Sequence, residues 1–195
     1  MEINRIINIP IKKLKIDCKE KRGWEMGFYD NRENALFRTL QEQVITFKQW
    51  EASIAEKHGE WEANYLYWDK LYNAVEEVLE HTLLAEWQTE VYELILYTLA
   101  RDNEVENVLQ LLIVQPKILL SLAYSAITYS DYEARWQIAY GLGEVKGMRD
   151  EVNSLLSKLS NDEHEYVRRR ALIALQKKWK DELNDQEINS AIPPV

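Results

Sequence analysis

Asp131-Tyr132-Glu133-Ala134-Arg135-Trp136-Gln137-Ile138-Ala139-Tyr140-Gly141-Leu142-Gly143 is followed, at an offset of 33 residues, by a second version of itself in Tyr166-Val167-Arg168-Arg169-Arg170-Ala171-Leu172-Ile173-Ala174-Leu175. Setting Arg135 on Arg168 puts Ile138 on Ala171, Gly141 on Ala174 and Leu142 on Leu175. Between them, Val152, Leu155, Leu156 and Leu159 recur at helical spacing, and Asp162 opens the second unit. Self-similarity over this distance marks stacked helix pairs. Small residues at matched positions let one helix lie close against the next.

The helical period extends upstream of this pair. Asp30 and Glu33 stand at the spacing of a capping box. Leu36, Leu40, Val44, Phe47, Trp50 and Ile54 then recur every three or four residues, and His58-Gly59 closes the pattern. Trp61, Tyr65, Trp68, Tyr72, Val75 and Leu79 form the clearest stripe in the chain, with Tyr67, Leu71, Ala74 and Val78 beside it. This predicts one helix over 61–79, interior to a stack. Its other edge is acidic: Glu62, Asp69, Glu76 and Glu80. Further helices are expected over 87–100, 105–112, 116–126, 131–145, 149–160 and 163–179, with Pro116 suited to a first turn. Residues 1–23 differ, because Ile7, Ile9, Ile11, Leu14 and Ile16 alternate with polar residues or Pro10, as in extended chain. The expected organisation is an extended segment over 1–23 and one helical domain over 24–195. Within that domain the helices of 30–129 are divergent and those of 131–180 carry the recognisable repeat.

The 131–175 pattern resembles the HEAT-like (PBS-lyase-type) helical repeat, which has an Asp in the turn, then Val-Arg, then small and Ala-Leu-Gly positions. Ala134 stands where the family has valine, and Gln176 where it has glycine. The resemblance implies an all-α fold, an α-solenoid of antiparallel helix pairs. It also implies structural roles for Asp131, Arg135, Asp162 and Arg168, the arginines bonding turn acids of adjacent repeats. No arginine holds the corresponding position in the degenerate unit near 90–99.

Composition fits that fold and narrows the function. Six Gly and four Pro in 195 residues are too few for an all-β protein, and seven Trp with eleven Tyr demand a large buried area. One cysteine, Cys18, excludes an internal disulfide and a Cys-based zinc site. The start Met1-Glu2-Ile3-Asn4-Arg5 is not leader-like, and the most apolar run, 118–127, is half the ~20 residues of a membrane helix, so a cytoplasmic protein is expected.

Charge is unevenly placed. Residues 51–106 hold 3 basic and 14 acidic side chains, a net of −11, against +3 over 1–50 and −1 over 107–195. Such a field disfavours nucleic acid and favours a basic protein. The expected contact residues are Glu62, Asp69, Glu76, Glu80, Glu86 and Glu90. A second, basic surface is expected at Arg169, Arg170 and Lys177, within a run that also holds Arg168, Lys178 and Lys180 and is followed by Asp181, Glu182, Asp185 and Glu187.

No catalytic or metal-binding pattern accompanies these surfaces. His58, His81 and His164 form no zinc or di-iron motif, Gly141-Leu142-Gly143 fits no phosphate loop, and no nucleophile elbow is present. Glu77 and His81 share a helix face without a third ligand. The reading is a non-catalytic adaptor or inhibitor, of the kind a bacterial immunity protein represents, with no cofactor or metal and another protein as partner. A structural subunit of a larger complex has the same sequence features. The alternative is an enzyme on a HEAT-like scaffold, resembling DNA glycosylases or bilin lyases.

Overall fold

Residues 35–191 are described by a computed structural model of the chain, with side chains through residue 181. The extended segment expected over 1–23, Cys18 and the Asp30–Glu33 cap lie outside the described residues. All regular structure in the described span is helical. α1 covers residues 35–53. It is followed by α2 (Trp68–His81), α3 (Thr89–Arg101), α4 (Asn107–Ile113), α5 (Pro116–Ala126), α6 (Tyr132–Glu144), α7 (Arg149–Leu159) and α8 (Glu165–Ala191).

α6 is the centre of the molecule. Ala134, Arg135, Trp136, Gln137, Ile138, Ala139, Gly141, Leu142 and Gly143 are all buried, leaving it no solvent face of any width. It packs against α3, α4, α5, α7 and α8, while α2 meets α4 and α5 meets α7. Two glycines make this crowding possible. A Cβ on Gly143 would stand 2.9 Å from Cβ of Ala174 in α8, and one on Gly141 would stand 3.0 Å from a Leu109 methyl in α4. Gln137, fully buried, donates to the carbonyl of Leu99 at 2.6 Å, satisfying an orphan acceptor at the end of α3.

The turns between helices are stitched by arginine and aspartate. Asp131 and Asp162 each accept a backbone N–H two residues on, from Glu133 at 3.0 Å and His164 at 2.8 Å. Arg135 donates Nε and Nη2 to Asp162 at 2.8 and 3.0 Å, and Nη1 to the carbonyls of Tyr129 and Ser130. Arg168 repeats the backbone half of this pattern, with Nη1 at 2.8 Å from the carbonyls of both Asp162 and Glu163. Asp131 is met by Arg101. Arg101, the last residue of α3, thus meets a turn aspartate as Arg135 does.

Turns at the opposite ends of the helices are alike too. Glu106 and Met148, immediately before α4 and α7, both take the left-handed conformation, with φ of 59° and 48°.

Two sequence expectations are corrected at the amino-terminal end. The helix expected over 61–79 is broken: Trp61–Asn64 is a 3₁₀ turn, Tyr65 is extended at φ −71° and ψ 123°, and α2 starts only at Trp68. In a straight helix Trp61 and Trp68 would stand about 10 Å apart along the axis. The break lets both reach one ring. Phe47 of α1 lies 6.4 Å from Trp61, 4.7 Å from Tyr65, 5.1 Å from Trp68 and 6.1 Å from Tyr97 of α3, centroid to centroid. Trp68 Nε1 then closes the turn onto the Glu62 carbonyl at 2.9 Å. Nor is this stretch interior on all sides. α2 buries Leu71, Ala74, Val75, Val78 and Leu79 and leaves Asp69, Glu76 and Glu80 exposed. The helix enclosed by neighbours is α6.

α8 runs to Ala191, 27 residues, well past the expected end near 179.

The Arg135 side chain is 4% exposed and Asp162 6%. Removing one member of so buried a pair leaves the other uncompensated. Arg135→Ala is expected to destabilise the protein by about 3 kcal/mol in urea unfolding. Arg135→Lys, which keeps the charge but not the fork, recovers only part of the loss. An unchanged midpoint for Arg135→Ala contradicts the stitching role.

Candidate functional site

Exposed carboxylates gather on the outer face of α2. At 100° per residue, Asp69, Glu76 and Glu80 fall within about 40° of one another, with Glu77 at the edge. All are solvent-exposed. The exposed face is polar because α2 spends its apolar residues on the opposite side, toward α4. Asp69, Glu76 and Glu80 form no ion pair or side-chain hydrogen bond among the described residues. Glu77 lies 3.8 Å from His81, its partner one turn on. Glu86 and Glu90 are also exposed, and Glu90 accepts a bond from Gln41 of α1.

Glu62 does not belong to this face. It sits in the 3₁₀ turn, 6% exposed, with a carboxylate oxygen 3.7 Å from Arg101. Burial pushes its carboxyl above the usual range, and Arg101 offsets this only in part. The expected four-carboxylate edge included it because straight-helix geometry was extended across a break.

The three cations of 51–106 leave the acidic face uncompensated. Lys57 pairs with Glu51 at 2.8 Å, and Arg101 lies between Glu62 and Asp131. Lys70 rests over the Tyr67 ring at 4.8 Å. Glu51 is held below its ordinary range: burial works against this, but bonds from Lys57 and Tyr97 outweigh it. Asp102, 2% exposed, shows the opposite balance, since burial raises it despite bonds from Tyr72 and the Val108 amide.

The residues of the expected basic surface are dispersed. Arg170 turns inward, donating Nε and Nη2 to the Tyr166 hydroxyl, with its guanidinium 5.1 Å from the Trp136 ring centroid and 5.0 Å from that of Tyr166. Lys177 pairs with Glu144 at 2.5 Å. Lys178 donates to the Val145 carbonyl, and burial lowers its ammonium pKa. Arg169 and Lys180 stay exposed.

Sequence reasoning missed the pocket beside Arg170. It has a volume of about 480 Å³ between the turn before α4 and the starts of α6 and α8. Tyr132 stacks on His164 at 3.7 Å across its mouth, and Trp136 donates Nε1 to Glu133. The signal was the ring or imidazole close behind each turn aspartate, Tyr132 after Asp131 and His164 after Asp162. Its groups are bonded mainly to one another.

Among the described residues no group of three or more His, Cys, Asp or Glu is placed to hold a metal ion, and no single helix is long and apolar enough to cross a membrane. No protein-family model, curated protein or solved structure matches the chain.

Glu62 provides a test of the electrostatics. With its folded pKa above the unfolded value, its contribution to stability is full below the carboxylate range and is lost as pH rises through the folded pKa. Glu62→Gln is therefore expected to gain stability relative to the parent chain between pH 3.5 and pH 7, read as the difference in urea midpoints. A relative loss over that interval would show that the Arg101 attraction outweighs burial.

Proposed function

We propose that the chain is a non-catalytic binding module, a stack of HEAT-like helix pairs whose acidic face engages a basic protein partner. The observation that carries the reading is the row Asp69, Glu76 and Glu80 on α2, exposed and without a cationic neighbour bonded to it among the described residues. Unpaired like charges on one face repel one another and give the folded chain no stability of their own. Their attraction to a cationic surface is strengthened by the local excess of carboxylates and steers encounter. The nearby cations are bound elsewhere, two in ion pairs and one on a ring.

The stack part of the proposal rests on the repeated stitching. Arg101 meets Asp131, Arg135 meets Asp162, and α3, α6 and α8 follow one another in contact. Left-handed residues before α4 and α7 add a second recurring feature. A stack of this kind offers a ridged surface without needing a cavity.

An enzymatic reading would centre on the pocket beside Arg170. There Arg170, Tyr166, Trp136 and Glu133 are already hydrogen-bonded among themselves. The acidic face supports the binding reading better.

The test is affinity capture of the tagged chain from its own cells, then titration of the purified partner against parent and variant. The triple variant Asp69→Lys, Glu76→Lys and Glu80→Lys is expected to keep its helicity and melting temperature while affinity falls by at least ~10-fold. The parent's affinity is expected to weaken with added salt. A partner held equally well by the triple variant would refute this face as the site.

A further inference from the structure

The pocket beside Arg170 is walled by rings. Tyr132 and His164 stack at 3.7 Å across its mouth, and Trp136 and Tyr166 meet edge to face at 5.4 Å. About 480 Å³ lies between these rings and the turn before α4. The rings already hold one guanidinium. That of Arg170 lies 5.1 Å from the Trp136 centroid, 5.0 Å from that of Tyr166 and 5.9 Å from that of Tyr140. Its bonds go to the Tyr166 hydroxyl and not to a carboxylate.

The groups that this network leaves unbonded accept hydrogen bonds. Glu104 and Glu106 line the α4 side of the pocket and form no ion pair or side-chain hydrogen bond among the described residues. Two of the six buried polar atoms without a partner among those residues, Asn103 Oδ1 and His164 Nδ1, belong to this one pocket. The imidazole nitrogen accepts when the ring proton sits on Nε2. Buried acceptors of this kind gain from a donor that arrives from outside.

Charge selects the donor. With Glu133, three carboxylates stand against the single guanidinium of Arg170, so an anion is repelled and a cation is drawn in. The acceptors are spread around a ring-lined space. A planar guanidinium, with donors along its whole edge and a face that stacks on aromatic rings, matches that arrangement better than a compact ammonium does.

The pocket adjoins the acidic face of α2. Tyr72 of α2 donates to Asp102 at 2.7 Å, in the turn that carries Glu104 and Glu106. Asp69 and Glu76 flank Tyr72 on the helix surface, one turn to either side.

We propose that the pocket beside Arg170 is a socket for an arginine side chain of a basic protein partner. The incoming guanidinium stacks on the rings and donates to Glu104, Glu106 and Asn103, beside the carboxylate row of α2. This rests on the reading of the chain as a binding module for a basic protein, and adds the side chain that it recognises.

Titration of the full chain with acetyl-argininamide, a single arginine blocked at both ends, tests the proposal by NMR. Saturable shifts are expected at the Trp136 indole N–H and at the amides of residues 103–106. Acetyl-lysinamide is expected to bind at least ~5-fold more weakly, and the uncharged acetyl-citrullinamide to give no saturable shift. Combining Glu104→Gln with Glu106→Gln is expected to weaken acetyl-argininamide binding by ~10-fold with the melting temperature unchanged. The α2 triple lysine variant is expected to keep this binding while it loses the partner, so failure of the socket and failure of the α2 face are read separately. The proposal is overturned by the absence of saturable shifts at the pocket, by equal binding of the citrulline or lysine compound, or by affinity untouched in the double variant. Binding of free arginine without binding of the blocked form would also overturn it, by making the pocket a small-molecule site.

Discussion

The ion pair between Arg135 and Asp162 is the constraint on which the carboxy-terminal half depends. One guanidinium reaches both oxygens of an aspartate in the next turn and two carbonyls of its own turn. Two consecutive turns are thereby fixed relative to each other before any apolar contact is counted. Asp162 in turn receives the His164 amide and so starts α8. A buried pair of this kind is weak as a source of net stability, because desolvation consumes much of the attraction. Its effect is on geometry, because the guanidinium's bonds hold the start of α6 in a defined position against the following turn.

That placement brings α6 into the middle, where side chains have little room. Gly143 faces Ala174, and Gly141 faces Leu109 and Leu119. Arg135 is satisfied by its turn, and Gln137 donates Nε2 to the Leu99 carbonyl while its Oε1 is buried without a partner among the described residues. The amino-terminal half is held differently. There Phe47 gathers the rings of Trp50, Tyr65 and Trp68, and Tyr97 joins from α3. Aromatic packing draws α1, α2 and α3 together and leaves the outer side of α2 to its carboxylates.

The carboxy-terminal half was legible in the sequence because its determinants sit in a pattern that repeats at a 33-residue offset. Arg135 and the small residue at 141 occupy matched positions of that pattern and Asp162 opens its second unit, although their contacts span 22 residues or more, and Pro116 marks the start of α5 by itself. What sequence could not reveal depended on distant partners. The 61–79 stripe has sound helical spacing, yet convergence of its rings on Phe47 outweighs local propensity and breaks it. Glu62 is buried in the 3₁₀ turn, away from the exposed edge that straight-helix spacing gives it, for the same reason. Arg101 escaped notice because its partner, Asp131, lies 30 residues ahead and no motif surrounds it. Within the site, Asp69, Glu76 and Glu80 needed only the helical period, whereas the inward turn of Arg170 needed the rings of Trp136 and Tyr166 to be brought beside it.

The central claim is that α6 is the pivot, enclosed by its neighbours and locked at its start by Arg135. Native-state hydrogen exchange of the full chain tests this most directly. Amides from Ile138 to Leu142 are expected to exchange only through global unfolding, with the highest protection in the molecule, while the last turn of α2 opens locally. Local opening of Ile138–Leu142 at a free energy well below that of global unfolding would contradict it.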